Sequence, residues 1–437
     1  MTSQSGDKGR RQELDAAHGK LRGRLSAVKQ RARGPDPWLY VPTAILLLIG
    51  TLMVLNTTYF IGRAKTGDGF YFFEAQLAHI AAGLIVGAVL SQFSLAGLRR
   101  LATPLSLAAS AMMIAGWIPG VGLVRGGARR WVRLGPFLAQ PSELVKFAMV
   151  FFLADLLARR GVRVREVKAG LIPIIAIVVP VIAMLLKEPD FGSAVIIVVL
   201  AFAMLLTAGA RLKHLAAAAG IALSGLAAQV IVEPYRMRRL AAFVDPWRTA
   251  RGAGFQLIQS FIALGEGGKW GQGLGLGRQK MFYLPQAHTD FVFAVLIDDI
   301  GLVGGLAVLT LFAVVAFRGM RIAHSEPDSF GSLLGAGISS LFALQVLINI
   351  AVVVGLVPTK GLPLPLLSYG GSSIVMALAQ VGVLLALSSR PSISVAKREY
   401  SVSQPPAGLT PAMSQRRTFD AAARGEALGR GRLSHGA

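Results

Sequence analysis

The run Tyr283-Leu284-Pro285-Gln286-Ala287-His288-Thr289-Asp290 leads straight into a long apolar segment. An acid at the mouth of a helix bundle, flanked by a hydroxyl and an imidazole, is a candidate general base. The competing reading is a helix cap, because Thr or Asp before an apolar helix is a favoured N-terminal residue. Just upstream, Gly265, Gly267, Gly268, Gly271, Gly273, Gly275 and Gly277 are interleaved with Lys269, Arg278 and Lys280. Glycine lets a backbone approach a ligand closely, and successive amides form anion-binding nests. A plain flexible loop accounts for the same glycines.

Three further segments carry groups that suit an anionic substrate. In Gly127-Ala128-Arg129-Arg130-Trp131-Val132-Arg133 a tryptophan of the interfacial kind stands beside arginines able to grip phosphate. Glu188-Pro189-Asp190-Phe191-Gly192 reads as a tight turn with two acids, or as a turn with a helix cap. The stretch from Pro358 to Ser373 holds Pro358, Pro363 and Pro365, which favour a rigid non-helical crossing, and Lys360, which can meet an anion. It ends in Ser368-Tyr369-Gly370-Gly371-Ser372, where the glycines let the next helix start close to a neighbour or ligand. Glu143 and Lys146 are spaced i,i+3 and read as an ion pair neutralising both charges within a membrane span. Gln345 and Asn349 share a helix face and read as interhelical hydrogen-bonding glue.

The elements that must position these groups are transmembrane helices. Of 437 residues, 54% are hydrophobic and 15% charged, against about 25% charged in ordinary soluble domains; the mean hydropathy is +0.58. A soluble multidomain enzyme is excluded. Apolar runs near the roughly 20 residues that cross a bilayer predict ten spans: Val41 to Ile61, Phe72 to Ser94, Leu101 to Val121, Glu143 to Leu157, Ala169 to Leu186, Gly192 to Gly209, Leu215 to Val232, Val292 to Phe317, Leu333 to Val354 and Ser372 to Leu387. Backbone groups in hydrocarbon must be satisfied internally, so the spans are helices, and no strand alternation supports a barrel. The expected fold is an all-α polytopic bundle with a long outer loop, residues 233–290, between spans seven and eight.

The chain has no cysteine, which excludes disulfides, thiolate metal sites and cysteine nucleophiles; its six histidines show no metal-ligand spacing. The net charge of +23 points to lipid headgroups or a lipid-linked phosphate rather than nucleic acid. Residues 1–37 and 391–437 are basic and polar, expected to be poorly ordered, and the first carries no cleavable signal pattern. With an even span count the tails share a side, and that side collects most of the Lys and Arg, so both tails are expected in the cytoplasm. The long outer loop nevertheless holds Arg236, Arg238, Arg239, Arg248, Arg251, Lys269, Arg278 and Lys280 against Glu233, Asp245, Glu266 and Asp290. This is either a solvated basic loop or a surface that holds an anionic substrate.

From about Trp38 to Arg390 the chain resembles the SEDS family (shape, elongation, division and sporulation), the polytopic peptidoglycan glycosyltransferases that include FtsW and RodA. The resemblance is carried, in order, by GARRW with QPSE, EPDFG, YLPQAHTDF and PTKGLPLPLLSYGGSS. Phe243-Val244-Asp245-Pro246-Trp247, Gln279-Lys280 and Thr359-Lys360-Gly361 look like the division-specific FtsW branch. The family usually has Asn at Gly126, Glu at Gln286 and a Glu-Glu pair at Asp298-Asp299. The Gln286 change removes an acid four residues before Asp290, and with it the second carboxylate that a bound divalent cation there would use.

The resemblance implies polymerisation of lipid II, a disaccharide-pentapeptide on a polyprenyl pyrophosphate, at the outer face of the bacterial cytoplasmic membrane. An acceptor hydroxyl attacks the donor anomeric carbon with inversion, and the lipid pyrophosphate leaves. A carboxylate must take the hydroxyl proton and cations must stabilise the departing charge. On this reading Asp290 is the base. Arg130, Lys360 and Lys280 surround the pyrophosphate, with His288, Ser368, Tyr369, Gly370, Gly371 and Ser372 shaping the site. Trp131, Glu143, Lys146, Glu188, Asp190, Gln345 and Asn349 support it. The implied partners are a class B penicillin-binding protein and other division proteins. A lipid II flippase, an elongation-specific polymerase of the RodA kind and a division scaffold remain alternatives.

Overall fold

Asp36 starts the first helix by accepting the amide of Trp38 at 3.0 Å, with Pro37 in the first turn. The computed structural model describes residues 34–125, 128–135, 137–277 and 284–389. Among them are twelve α-helices. Ten coincide with the expected spans: α1 (Pro37–Thr66), α2 (Tyr71–Ser91), α3 (Leu95–Ala115), α4 (Pro141–Arg160), α5 (Ile172–Lys187), α6 (Phe191–Thr207), α7 (Leu212–Val232), α10 (Val292–Ser325), α11 (Ser329–Val353) and α12 (Gly371–Ser388). The other two, α8 (Pro234–Val244) and α9 (Phe255–Gly267), lie in the long loop.

Seven of these helices are long and apolar enough to cross a membrane: α1, α2, α5 with the turn before it, α7, α10, α11 and α12. α6 is apolar but shorter, and α3 and α4 fall outside the set. Their sequences show why: α3 carries Arg99 and Arg100, and α4 carries Glu143, Lys146 and Asp155. α4 is sheathed by other helices, with Val150, Phe151, Leu153 and Ala154 fully buried. A polar group in such a helix is matched by protein rather than lipid. The Glu143–Lys146 pair forms at 2.7 Å, and Gln345 of α11 donates to the other Glu143 oxygen at 3.5 Å.

The all-helical expectation needs one amendment. The loop after α3 forms a small antiparallel sheet in the order β1 (Gly122–Arg125), β2 (Ala128–Leu134), β3 (Phe137–Ala139). Val132 pairs with Gly122 on one side and Ala139 on the other. The register slips between Leu123 and Val124, which pair with Trp131 and Arg129, so Arg130 is the unpaired extra residue of a β-bulge, a feature that re-aims a side chain.

α10 is interrupted. Gly301 has φ 73° and ψ 179°, which breaks the helix in its second and third turns. The backbone groups so freed are met by the glycine-rich segment after α9. Gln272 and Gly273 amides donate to the Asp298 and Asp299 carbonyls, each at 2.9 Å. Leu302 and Val303 donate in turn to the Gly268 and Lys269 carbonyls at 2.9 and 3.2 Å. The Gly277 amide also donates to Asp299 Oδ1 at 3.2 Å, and Asn56 of α1 donates to Oδ2 of the same carboxylate. Residues 267–277 are therefore neither a free loop nor an anion nest; they complete a membrane helix. Arg278, Lys280 and Gly126 lie outside the described residues, as do the two tails beyond residues 34–37 and 389.

At the opposite end of α10, Arg318 pairs with Asp36, and the Asp36 amide reaches Ser388 Oγ at 3.4 Å. The start of α1 and the end of α12 thus share one end of the bundle.

Candidate active site

Asp290 does not act as a helix cap. The N-cap of α10 is Phe291, with no side chain bonded to the first-turn amides. Thr289 Oγ1 instead donates to Gln286, to its carbonyl at 3.3 Å and its Oε1 at 2.9 Å. The cap reading fails, and the carboxylate is left for other work.

The loop between α11 and α12 fixes the backbone that carries it. Asn349 Nδ2, near the end of α11, donates to the carbonyls of Asp290 at 2.9 Å and Leu362 at 2.7 Å. Ser368 Oγ accepts the Leu364 amide at 2.7 Å and donates to the Thr289 carbonyl. The Tyr369 amide donates to the His288 carbonyl at 2.8 Å. Two residues with side chains adopt left-handed backbone here, Gln286 (φ 58°) and Leu366 (φ 66°), a conformation held only where surrounding structure enforces it.

Cations converge on the half-buried carboxylate. Arg130 Nε donates to the Glu188 carbonyl at 3.0 Å, and its second nitrogen donates to the Pro189 carbonyl. Arg239 of α8 donates to the Thr359 carbonyl at 2.9 Å, beside Lys360. Burial pushes the Asp290 carboxyl up to about 7, while the Arg239 and Arg130 charges pull it down. Burial lowers Lys360 to about 8. Asp290 therefore exchanges its proton near neutrality, and Lys360 stays charged there.

Glu188 is a second perturbed acid. It is 2% exposed, its Oε1 has no hydrogen-bond partner among the described residues, and its carboxyl rises to about 7 through burial and the nearby Asp190, against Arg130. Asp190 itself caps α6, accepting the Ser193 amide at 3.1 Å and the Ser193 hydroxyl at 2.8 Å. The cap reading holds for that residue.

His288 packs against Phe72 and Tyr369, with ring centroids 6.4 and 5.9 Å away. Burial, helped by Lys65, pushes its imidazole down to about 4, so it is neutral at physiological pH and offers no positive charge. Ser372 Oγ accepts the Gln140 amide at 2.8 Å, tying α12 to α4. Gly371 touches His79, and an added Cβ would lie 2.5 Å from its Nε2. Gly370 carries extended backbone into α12, and Trp131 sits on β2 paired with Leu123. Among the described residues no group of three or more His, Asp or Glu gathers to hold a metal ion, and Gln286 presents an amide where a second carboxylate would serve. No step is assigned to a divalent cation.

The sequence placed Arg236 and Arg239 in a basic loop surface and Phe191 in a turn, but did not assign any of the three to this site. The signal was present: Arg236 and Arg239 are spaced i,i+3 on a short helix, and an aromatic follows the Glu188–Asp190 turn directly.

This geometry belongs with that of known proteins. Residues 37–392 match the family of FtsW, RodA and SpoVE, described as cell cycle proteins. Stage V sporulation protein E of Bacillus subtilis is 40% identical over 354 residues, covering 81% of this chain and 97% of that protein. The probable peptidoglycan glycosyltransferase FtsW of Geobacter sp. (strain M18) is 40% identical over 361 residues, covering 83% and 98%. A chain solved in work on the structural coordination of polymerization and crosslinking by a peptidoglycan synthase complex is 29% identical, with a TM-score of 0.66 over 81% of this chain and 97% of that one. The rod shape determining protein RodA of Thermus thermophilus is 26% identical, with a TM-score of 0.59 over 81% and 96%. A bundle of this architecture, similar over nearly the full length of each of these relatives, identifies the chain as a multi-pass bacterial membrane protein of the FtsW/RodA/SpoVE family.

Proposed function

We propose that this peptidoglycan glycosyltransferase polymerises lipid II into glycan strands at the outer face of the cytoplasmic membrane, with Asp290 as general base. The observation that carries the reading is a half-buried carboxylate, free of side-chain partners among the described residues, poised near pH 7 under the charges of Arg130 and Arg239. Asp290 takes the proton of the acceptor hydroxyl as that oxygen attacks the donor anomeric carbon. The bond to the lipid pyrophosphate breaks with inversion, and its electron pair leaves on the phosphate oxygen. Pyrophosphate needs no acid to depart, which suits a site with one base and many cations. Arg130 and Lys360 stabilise the departing charge, with Lys280 a further candidate.

The polyprenyl tail needs an apolar path. A pocket of about 240 Å³ between α3, α4 and α5 is lined by Met113, Val145, Met149, Val181 and Met184. Met184 lies one helical turn before Glu188, whose carbonyl seats Arg130. The excess of Lys and Arg on the tail side supports cytoplasmic termini. The FtsW-like residues around Asp245, Lys280 and Lys360 support septal wall synthesis during division, in company with a class B penicillin-binding protein. A solved relative comes from a peptidoglycan synthase complex.

The test is purified full-length protein with lipid II. Asp290→Asn is expected to abolish glycan polymer, and undiminished polymer from that variant refutes the assignment.

A further inference from the structure

Phe191 opens α6 with two cations on its ring. Lys360 Nζ lies 4.8 Å from the ring centroid and the Arg236 guanidinium carbon 5.2 Å. One comes from the loop between α11 and α12 and the other from α8. Two like charges sharing a ring repel each other, and the ring quadrupole offsets only part of that cost. Among the described residues neither cation forms an ion pair, and the Arg236 hydrogen bonds go to Gln229, to its carbonyl at 2.8 Å and its Oε1 at 3.1 Å. Positive charge gathered and left unneutralised is an arrangement that an anion completes.

The ring itself is held. It follows the turn Glu188-Pro189-Asp190, where Pro189 has φ 32°, the carbonyls of Glu188 and Pro189 accept from Arg130, and Asp190 caps α6. Arg239 then ties α8 to the last loop through the Thr359 carbonyl. One short turn therefore orders three cations that the chain delivers from three separate loops.

We propose that Phe191 is a positioning residue whose ring holds Lys360 and Arg236 as a paired clamp for the diphosphate of a lipid-linked substrate. The assignment rests on the reading of the Asp290 site as one that takes a prenyl pyrophosphate donor. A purely structural role, an apolar ring filling space at a helix start, makes a different prediction, because leucine fills that space without a quadrupole.

The experiment uses the full chain in detergent with farnesyl pyrophosphate as a soluble probe, and thermal unfolding measured on every variant. Phe191→Leu is expected to weaken probe binding about tenfold, to raise KM for lipid II and to lower kcat, while Phe191→Tyr stays near wild type. Arg236→Gln, which leaves the ring in place, is expected to weaken binding similarly, and Phe191→Leu added to Lys360→Met with Arg236→Gln to cost little more than those two changes without it. Wild-type affinity in Phe191→Leu, equal loss in the Leu and Tyr variants, or no probe binding by the wild type overturns the proposal. Polymer formation by the wild type is scored separately: its failure would remove the polymerase reading while the binding comparison still decides the clamp.

Discussion

Gly361 stands against Asp290: a Cβ built on the glycine would lie 3.2 Å from the carboxylate Oδ2. One methyl group there pushes the proposed base from its place without altering its chemistry. Gly361→Ala is expected to lower kcat on lipid II by about tenfold or more, since small misplacements of a reacting group are costly, with thermal unfolding unchanged. Wild-type kcat would mean that the carboxylate position is not critical.

With Asp290 as the proposed base and Lys360 as the proposed pyrophosphate cation, the rate is expected to rise with pH through about 7, as the acid loses its proton, and to fall beyond about 8, as the lysine loses its own. Lys360→Arg is expected to move only the upper limb, to higher pH, because arginine stays charged. An unmoved upper limb excludes Lys360 as its source.

Stability carries the reverse sign. A carboxyl raised from 3.8 to about 7 binds its proton more tightly in the folded state. Its contribution is fully present at acid pH and is lost as pH rises from about 4 to 7. Asp290→Asn is therefore expected to raise the Tm at pH 8 while abolishing polymer, and a lower Tm in that variant contradicts the burial of the charge.

The Glu143–Lys146 pair is a test of the buried core of α4. Lys146→Met strands a buried carboxylate and is expected to destabilise by about 3–5 kcal/mol, whereas adding Glu143→Leu recovers most of that loss. Denaturation in detergent micelles measures both. Equal instability of the single and double variants would show that the pair does more than neutralise itself.

Asn349→Ala removes the shared donor of two carbonyls, those of Asp290 and Leu362. The expected cost is about 1–3 kcal/mol of stability, with a larger fractional loss of polymerisation because the base is no longer tied to the last loop. Loss of stability with intact turnover would separate the two roles.

The helices were legible in the sequence because hydrocarbon permits few alternatives: each expected span, from Val41 to Leu387, overlaps a helix, although seven of those helices are long and apolar enough to cross a membrane. Asp290 was legible as an acid at a helix mouth, but its competing role as a cap was not decidable, since Thr289 turns to Gln286 only in three dimensions. The β1–β3 sheet was missed because its strands are only four, seven and three residues long and arginines interrupt their apolar pattern. The aromatic seat at Phe191 was invisible for another reason: its two cations come from Arg236 and Lys360, joined only by tertiary folding. For the same reason the glycines from Gly265 to Gly277 read as ligand-binding or idle, when the described ones serve the break at Gly301.

That break bears on how the chain is made. The lower and upper pieces of α10 cannot finish their backbone pairing alone, so inside a bilayer they carry unmet polar groups until the segment from Gly267 to Gly277 arrives. The ribosome delivers that segment first. Biosynthetic order thus delivers the backbone partners of the broken helix before the helix itself emerges, and a permuted chain that reversed the order is expected to insert α10 with those groups unmet.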